Sequence, residues 1–117
     1  MRLAVSLIIL LAPCASLGAD RFGAIAYSAS TRAHGWAKDH PAREAAEKAA
    51  LAGCAKHAED CKPVLWFRNA CGALAAGANG PGWAWAQDQA AAERGALKLC
   101  ATHSKGCTVK HRFCTTK

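Results

Sequence analysis

Apolar and polar positions alternate moderately from Phe22 to Ser28 and again from Ala33 to Lys38, with Trp36 at the centre of the second run. A period near two marks strands, and Ser30-Thr31-Arg32 supplies a turn between them, so the pair reads as a β-hairpin. From Ala42 to His57 the spacing becomes helical. Ala46, Ala50, Cys54 and His57 fall on one stripe with Ala49 and Leu51 at its edges, while Arg43, Glu44, Glu47 and Lys48 can face water. Pro41 sits near the helix start, with His40 or Asp39 as the expected cap. Lys62 to Asn69 then returns to strand character around Val64-Leu65-Trp66-Phe67.

The same series begins again at Cys71. Gly23-Ala24-Ile25-Ala26 returns as Gly72-Ala73-Leu74-Ala75, and His34-Gly35-Trp36-Ala37 as Pro81-Gly82-Trp83-Ala84. Ala45 to Leu51 matches Ala91 to Leu97, Cys54 and Cys61 match Cys100 and Cys107, and Phe67 falls on Phe113. Ordered similarity of this kind marks repeated supersecondary units that hide their apolar faces against each other. The second copy reads as strand Cys71 to Ala76, a breaker-rich turn, strand Gly82 to Trp85, a helix from Gln89 to His103 capped by Asp88, and strand Thr108 to Cys114. Gly95 lies inside that helix, a cost of about 1 kcal/mol relative to alanine unless close packing requires it. The expected fold is α+β: a duplicated strand-strand-helix-strand unit, mainly antiparallel, with two helices. Strand order is not readable from the repeat.

Composition adds compartment. Residues 1–19 carry one early charge, Arg2, then an apolar stretch from Leu3 to Leu11 and small residues up to Ala19, the pattern of a secretory signal peptide. Residues 20–117 are then expected to form a single domain of two repeats, about 22–68 and 71–114, in the periplasm of a bacterium or secreted from it. Cys14 leaves with the signal, and six cysteines remain. An even number in an exported chain points to disulfides. The repeat assigns Cys54–Cys61 and Cys100–Cys107 as short loop closures, and Cys71–Cys114 pair by elimination. Phe22 and Arg68 stand where those last two cysteines would recur. A zinc site built from Cys54, Cys61, Cys100 and Cys107 is disfavoured by the Cys-x6-Cys spacing, so no metal and no cofactor is expected.

The segments Gly23-Ala24-Ile25-Ala26-Tyr27-Ser28 and Trp66-Phe67-Arg68-Asn69-Ala70-Cys71-Gly72-Ala73-Leu74-Ala75, with Gly35-Trp36 and Gly82-Trp83, resemble a widespread family of small exported bacterial proteins classed as a domain of unknown function. The resemblance covers nearly all of the chain after the signal. It implies export and the duplicated fold, and it carries no catalytic motif to transfer.

Enzyme signatures are weak. The chain has no Gly-x-Ser-x-Gly elbow, His-Glu-x-x-His or phosphate loop, and oxidised cysteines supply no thiolate. Formal charge is +7, one less without Arg2, and no acid follows Glu93, while Lys98, Lys105, Lys110, His111, Arg112 and Lys117 do. Attraction to acidic surfaces follows. On a regular strand Lys110 and Arg112 face together and form the candidate binding face. Trp36, Trp83 and Trp85 are core residues or, if exposed, an aromatic docking strip. The reading is a noncatalytic exported binding protein of the inhibitor or immunity type, whose partner is an unidentified protein or an anionic envelope component. The alternative is a small cell-envelope hydrolase without a recognised motif. Nucleic acid is disfavoured as a partner because the tryptophans fall at strand positions. An exposed edge strand would also allow a homodimer.

Overall fold

A computed structural model describes Ala4 and residues 19–116, so the expected signal peptide and Cys14 lie outside the described residues. The chain runs β1 (Phe22–Tyr27), β2 (His34–His40), α1 (Arg43–Ala55), β3 (Lys62–Arg68), β4 (Cys71–Gly77), β5 (Gly80–Ala86), α2 (Gln89–Ala101) and β6 (Thr108–Cys114). This is the duplicated α+β unit. The strands divide into two antiparallel sheets ordered β2-β1-β3 and β5-β4-β6. Each sheet carries its own helix on one face, and the two sheets meet through their other faces.

On the helix sides the contacts are small. Ala46, Ala50 and Cys54 of α1 pack on Ala24, Ala26 and Ala37, and Ala92, Ala96 and Cys100 of α2 pack on Ala73 and Ala75. Short side chains let each helix approach its strands closely. At Gly35 an added Cβ would lie 2.1 Å from the Ala50 carbonyl oxygen, and at Gly82 it would lie 2.3 Å from that of Ala96. The repeated Gly-Trp pair therefore marks where strand meets helix backbone. Gly95 has the same origin, since a Cβ there would come within 2.7 Å of the Ala84 methyl. Between the sheets lie the larger residues Ile25, Tyr27, Phe67, Leu74 and Phe113.

Helix α1 starts differently from expectation. Strand β2 continues through His40, and Ala42 occupies the cap position without a side-chain bond. Asp39, at φ 63°, instead accepts from the main-chain N–H and the hydroxyl of Thr116 at 2.8 and 2.7 Å. His57 lies beyond the end of α1 and is exposed, so the apolar stripe stops at Cys54. Asp88 does cap α2, accepting from Ala91 N–H at 2.8 Å.

Disulfides join Cys54 to Cys61, Cys100 to Cys107 and Cys71 to Cys114. The last spans directly opposed positions of β4 and β6, and Phe22 opposes Arg68 at the matching place in the first sheet. The chain passes from the first half to the second through Asn69 and Ala70. Both ends of the duplicated region return there: Asn69 N–H donates to the Arg21 carbonyl and Thr115 N–H to the Ala70 carbonyl, each at 2.9 Å.

Candidate functional site

The two sheets leave two flanks along their edges. On one, β2 faces β6; on the other, β3 faces β5. The duplication makes these flanks equivalent, because β5 repeats β2 and β3 repeats β6. Their side chains have nonetheless diverged. His34, Lys38, Lys110, His111 and Arg112 on the first flank correspond to Pro81, Trp85, Val64, Leu65 and Trp66 on the second. At these five positions one edge of the sandwich is basic and the other apolar, while Lys62 and Arg68 of the second edge stand opposite Thr108 and Cys114.

A shared irregularity shapes both. Leu74 pairs with His111 and Ala75 with Val109, which makes Lys110 the extra residue of a β-bulge; Ile25 pairs with Leu65 and Ala26 with Pro63, so Val64 is its counterpart. A bulge breaks strict alternation. Lys110 opens onto a cleft between the sheets, whereas Arg112 turns toward α2 and pairs with Glu93 at 2.9 Å. Lys110 and Arg112 are both exposed and border one shallow surface depression with Glu93, and of the two only Lys110 also lines the cleft.

The expected tryptophans also separate. Trp36, 42% exposed, stacks against His111 and Phe113 with centroids 4.6 and 5.1 Å away. Trp83 packs into the inter-sheet core, and Trp85, 54% exposed, borders a groove with Trp66, Arg68 and Gln87 on the opposite flank. Trp36 thus stands apart from Trp83 and Trp85, and no single strip contains all three. Trp66 is covered on one side by the Arg43 guanidinium, 4.5 Å from its ring.

Beside Lys110 the cleft of about 610 Å³ is lined by Tyr27, Leu74 and Ala76 below and by Arg32, His34, Lys105 and Lys110 around the rim. Among the described residues no carboxylate lines it. Arg32 belongs to the β1–β2 turn at φ 66°, and its guanidinium reaches the second half, donating to the carbonyls of Gly77 and Ala78 at 3.2 and 2.7 Å. The opposing loop is held by the Cys100–Cys107 disulfide, by Ala78 N–H on the Lys105 carbonyl at 3.0 Å, and by Asn79 N–H on Ser104 Oγ at 2.7 Å. His34 lies 5.7 Å from His111, centroid to centroid. Burial lowers the pKa of both imidazoles, with a further lowering from His57 on His34 and from His34 on His111. His111 Nε2 is buried without a hydrogen-bond partner, which keeps an added proton unfavourable.

The equivalent cleft on the other flank has different chemistry, with Ala29, Asp60, Lys62, Val64, Pro81 and Trp83 around Tyr27. Arg32 and His34 were not among the binding residues expected from the sequence. Comparing the copies position by position would have found part of the site, because Lys105 stands opposite Glu59, Lys110 opposite Val64 and His34 opposite Pro81.

Other polar groups have structural partners. The buried Ser28 hydroxyl donates to Asp60 and accepts from the Thr31 hydroxyl at 2.9 Å, an arrangement that ties the β1–β2 turn to the start of β3. Asn69 accepts from Arg21 N–H and donates to Asp20, each at 2.9 Å. Among the described residues no group of three or more His, Cys, Asp or Glu is placed to hold a metal ion, and no helix is long and apolar enough to cross a membrane.

Fold and site together define a duplicated, disulfide-linked α+β sandwich with one basic and one aromatic flank. The chain belongs to the family described as a domain of unknown function, DUF4189, whose pattern matches residues 22–114. Neither a curated protein nor a solved structure matches it.

Proposed function

We propose that this is a noncatalytic extracytoplasmic binding protein of the inhibitor or immunity type, which captures an envelope or secreted protein through the basic β2/β6 flank. One observation carries the reading: equivalent positions of a duplicated fold hold His34, Lys38, Lys105, Lys110 and Arg112 on one side and Pro81, Trp85, Glu59, Val64 and Trp66 on the other. The fold accepts either set, so its own stability does not demand the cations. Concentrated positive charge steers encounter with an acidic surface and rejects basic ones. Three disulfides suit an oxidising compartment and remove thiolate chemistry from consideration.

The test is affinity capture from envelope and secreted fractions with tagged residues 20–117 and with the K105E/K110E variant. Wild type is expected to retain a stoichiometric protein partner, and the variant to bind it at least tenfold more weakly with an unchanged circular-dichroism spectrum. Equal capture by a folded variant would reject this flank as the main contact.

A further inference from the structure

We propose that the cleft rimmed by Arg32, His34, Lys105 and Lys110 is a carboxylate-binding subsite that receives acidic side chains from an extended segment of a partner polypeptide. The inference rests on the function proposed above and specifies its chemistry.

Charge complementarity is the first support. Four basic or titratable groups converge from both halves of the chain, and among the described residues no acid lines the cleft to neutralise them. Preorganisation is the second. Of the five guanidinium N–H donors of Arg32, two are engaged by the Gly77 and Ala78 carbonyls, which fixes the plane of the group and leaves the remaining donors for a ligand. Lys105 sits on a loop already closed by a disulfide and by Ser104, so little further loop ordering opposes binding.

The floor selects the type of anion. Tyr27 and Ala76 keep 6% and 8% of their surface exposed over the fully buried Leu74, and they form a small apolar bed for methylene groups beneath the cationic rim. A glutamate or aspartate side chain offers that pairing of an apolar stem and a charged head. Inorganic polyphosphate offers charge with no carbon to place on the apolar bed. The volume of about 610 Å³ lies within the range of ligand clefts and accommodates more than one such side chain. The equivalent cleft serves as an internal control, since its shape derives from the same bulge and hairpin, but Val64 and Pro81 stand in the places of Lys110 and His34 and Asp60 in that of Gly106.

The experiment titrates isotope-labelled residues 20–117 with hexaglutamate, hexaglutamine and inorganic polyphosphate at low salt, following backbone and imidazole resonances. Hexaglutamate is expected to shift Arg32, His34, Ala78, Lys105 and Lys110, while hexaglutamine leaves them in place. Lys110→Val, which installs the residue of the equivalent position, is expected to weaken hexaglutamate at least fivefold, and Lys62→Val in the other cleft to leave it unchanged. Equal weakening by both variants would reduce the effect to net charge and overturn the subsite. Shifts confined to other residues, or polyphosphate binding with hexaglutamate silent, would also overturn it. Hexaglutamate binding in this cleft alongside partner capture that ignores K105E/K110E would instead reject the proposed function and retain the subsite.

Discussion

Glycine placement is where the sequence motif acquires a physical reason. Gly35 and Gly82 look alike in the sequence because each lies under helix backbone, where an added Cβ would come within 2.1 and 2.3 Å of a carbonyl oxygen. The backbone of a packed helix cannot swing aside as a long side chain can. Gly82→Ala is therefore expected to cost about 3 kcal/mol, read as a lower midpoint in chemical denaturation. Gly53 supplies the contrast: its added Cβ would make an ordinary 3.5 Å contact with Gly35 Cα, so Gly53→Ala should stabilise by up to about 1 kcal/mol through helix propensity. The repeated Gly-Trp was legible in the sequence, but the contact behind it was not. Likewise, Asp39 was a reasonable helix cap by type and position, yet its carboxylate is committed to Thr116, a partner 77 residues away.

At the level of elements, the order of strands and helices was legible because periodicity and the duplication agree. Sheet partition was not, since it depends on which faces meet after the hairpins have formed. The bulges escaped for a related reason: Val64 and Lys110 sit inside runs that look regular, and only the pairing with β1 and β4 exposes the extra residue. Both bulges lie on strands at sheet edges, where such irregularity discourages unwanted strand addition. Cross-linking follows element geometry more simply. Phe22 opposes Arg68 as Cys71 opposes Cys114, so the F22C/R68C double variant is expected to form a fourth disulfide. Loop-closure entropy sets its gain at up to about 4 kcal/mol, reduced by loss of the Phe22–Trp66 contact and the Arg68–Asp20 ion pair. Non-reducing peptide mapping would identify the link, and thermal melts with and without reductant would measure its effect.

On the scale of the whole molecule, the halves meet through groups that respond to acid. His34 of β2 and His111 of β6 face each other across the two sheets, with His57 and the rim cations Arg32, Lys105 and Lys110 adding positive charge nearby. Burial holds both imidazoles below their ordinary pKa of 6.5. The folded protein consequently binds fewer protons than the unfolded chain, and stability rises with pH in this window. Their contribution is present above about 6.5 and is lost as pH falls toward the lowered folded values. Melting temperature is expected to drop on acidification from about pH 7 to 5, and His111→Leu, the residue found at position 65, to flatten that profile. Asp39 and Asp60 act in a separate, more acidic range, since hydrogen bonds, chiefly from Thr116 and Ser28, hold their carboxyls below 3.8. The basic character of the C-terminal region was legible from composition, but its assembly with Arg32 and His34 required the first half to fold across the second. The return of Arg21 and Thr115 to the Asn69–Ala70 link has a consequence for the gene itself. Old ends and new ends would lie side by side in a circular permutant opened between Asn69 and Ala70, with a short bridge from Thr116 to Arg21. The halves would then be translated in reverse order and still present the same surfaces.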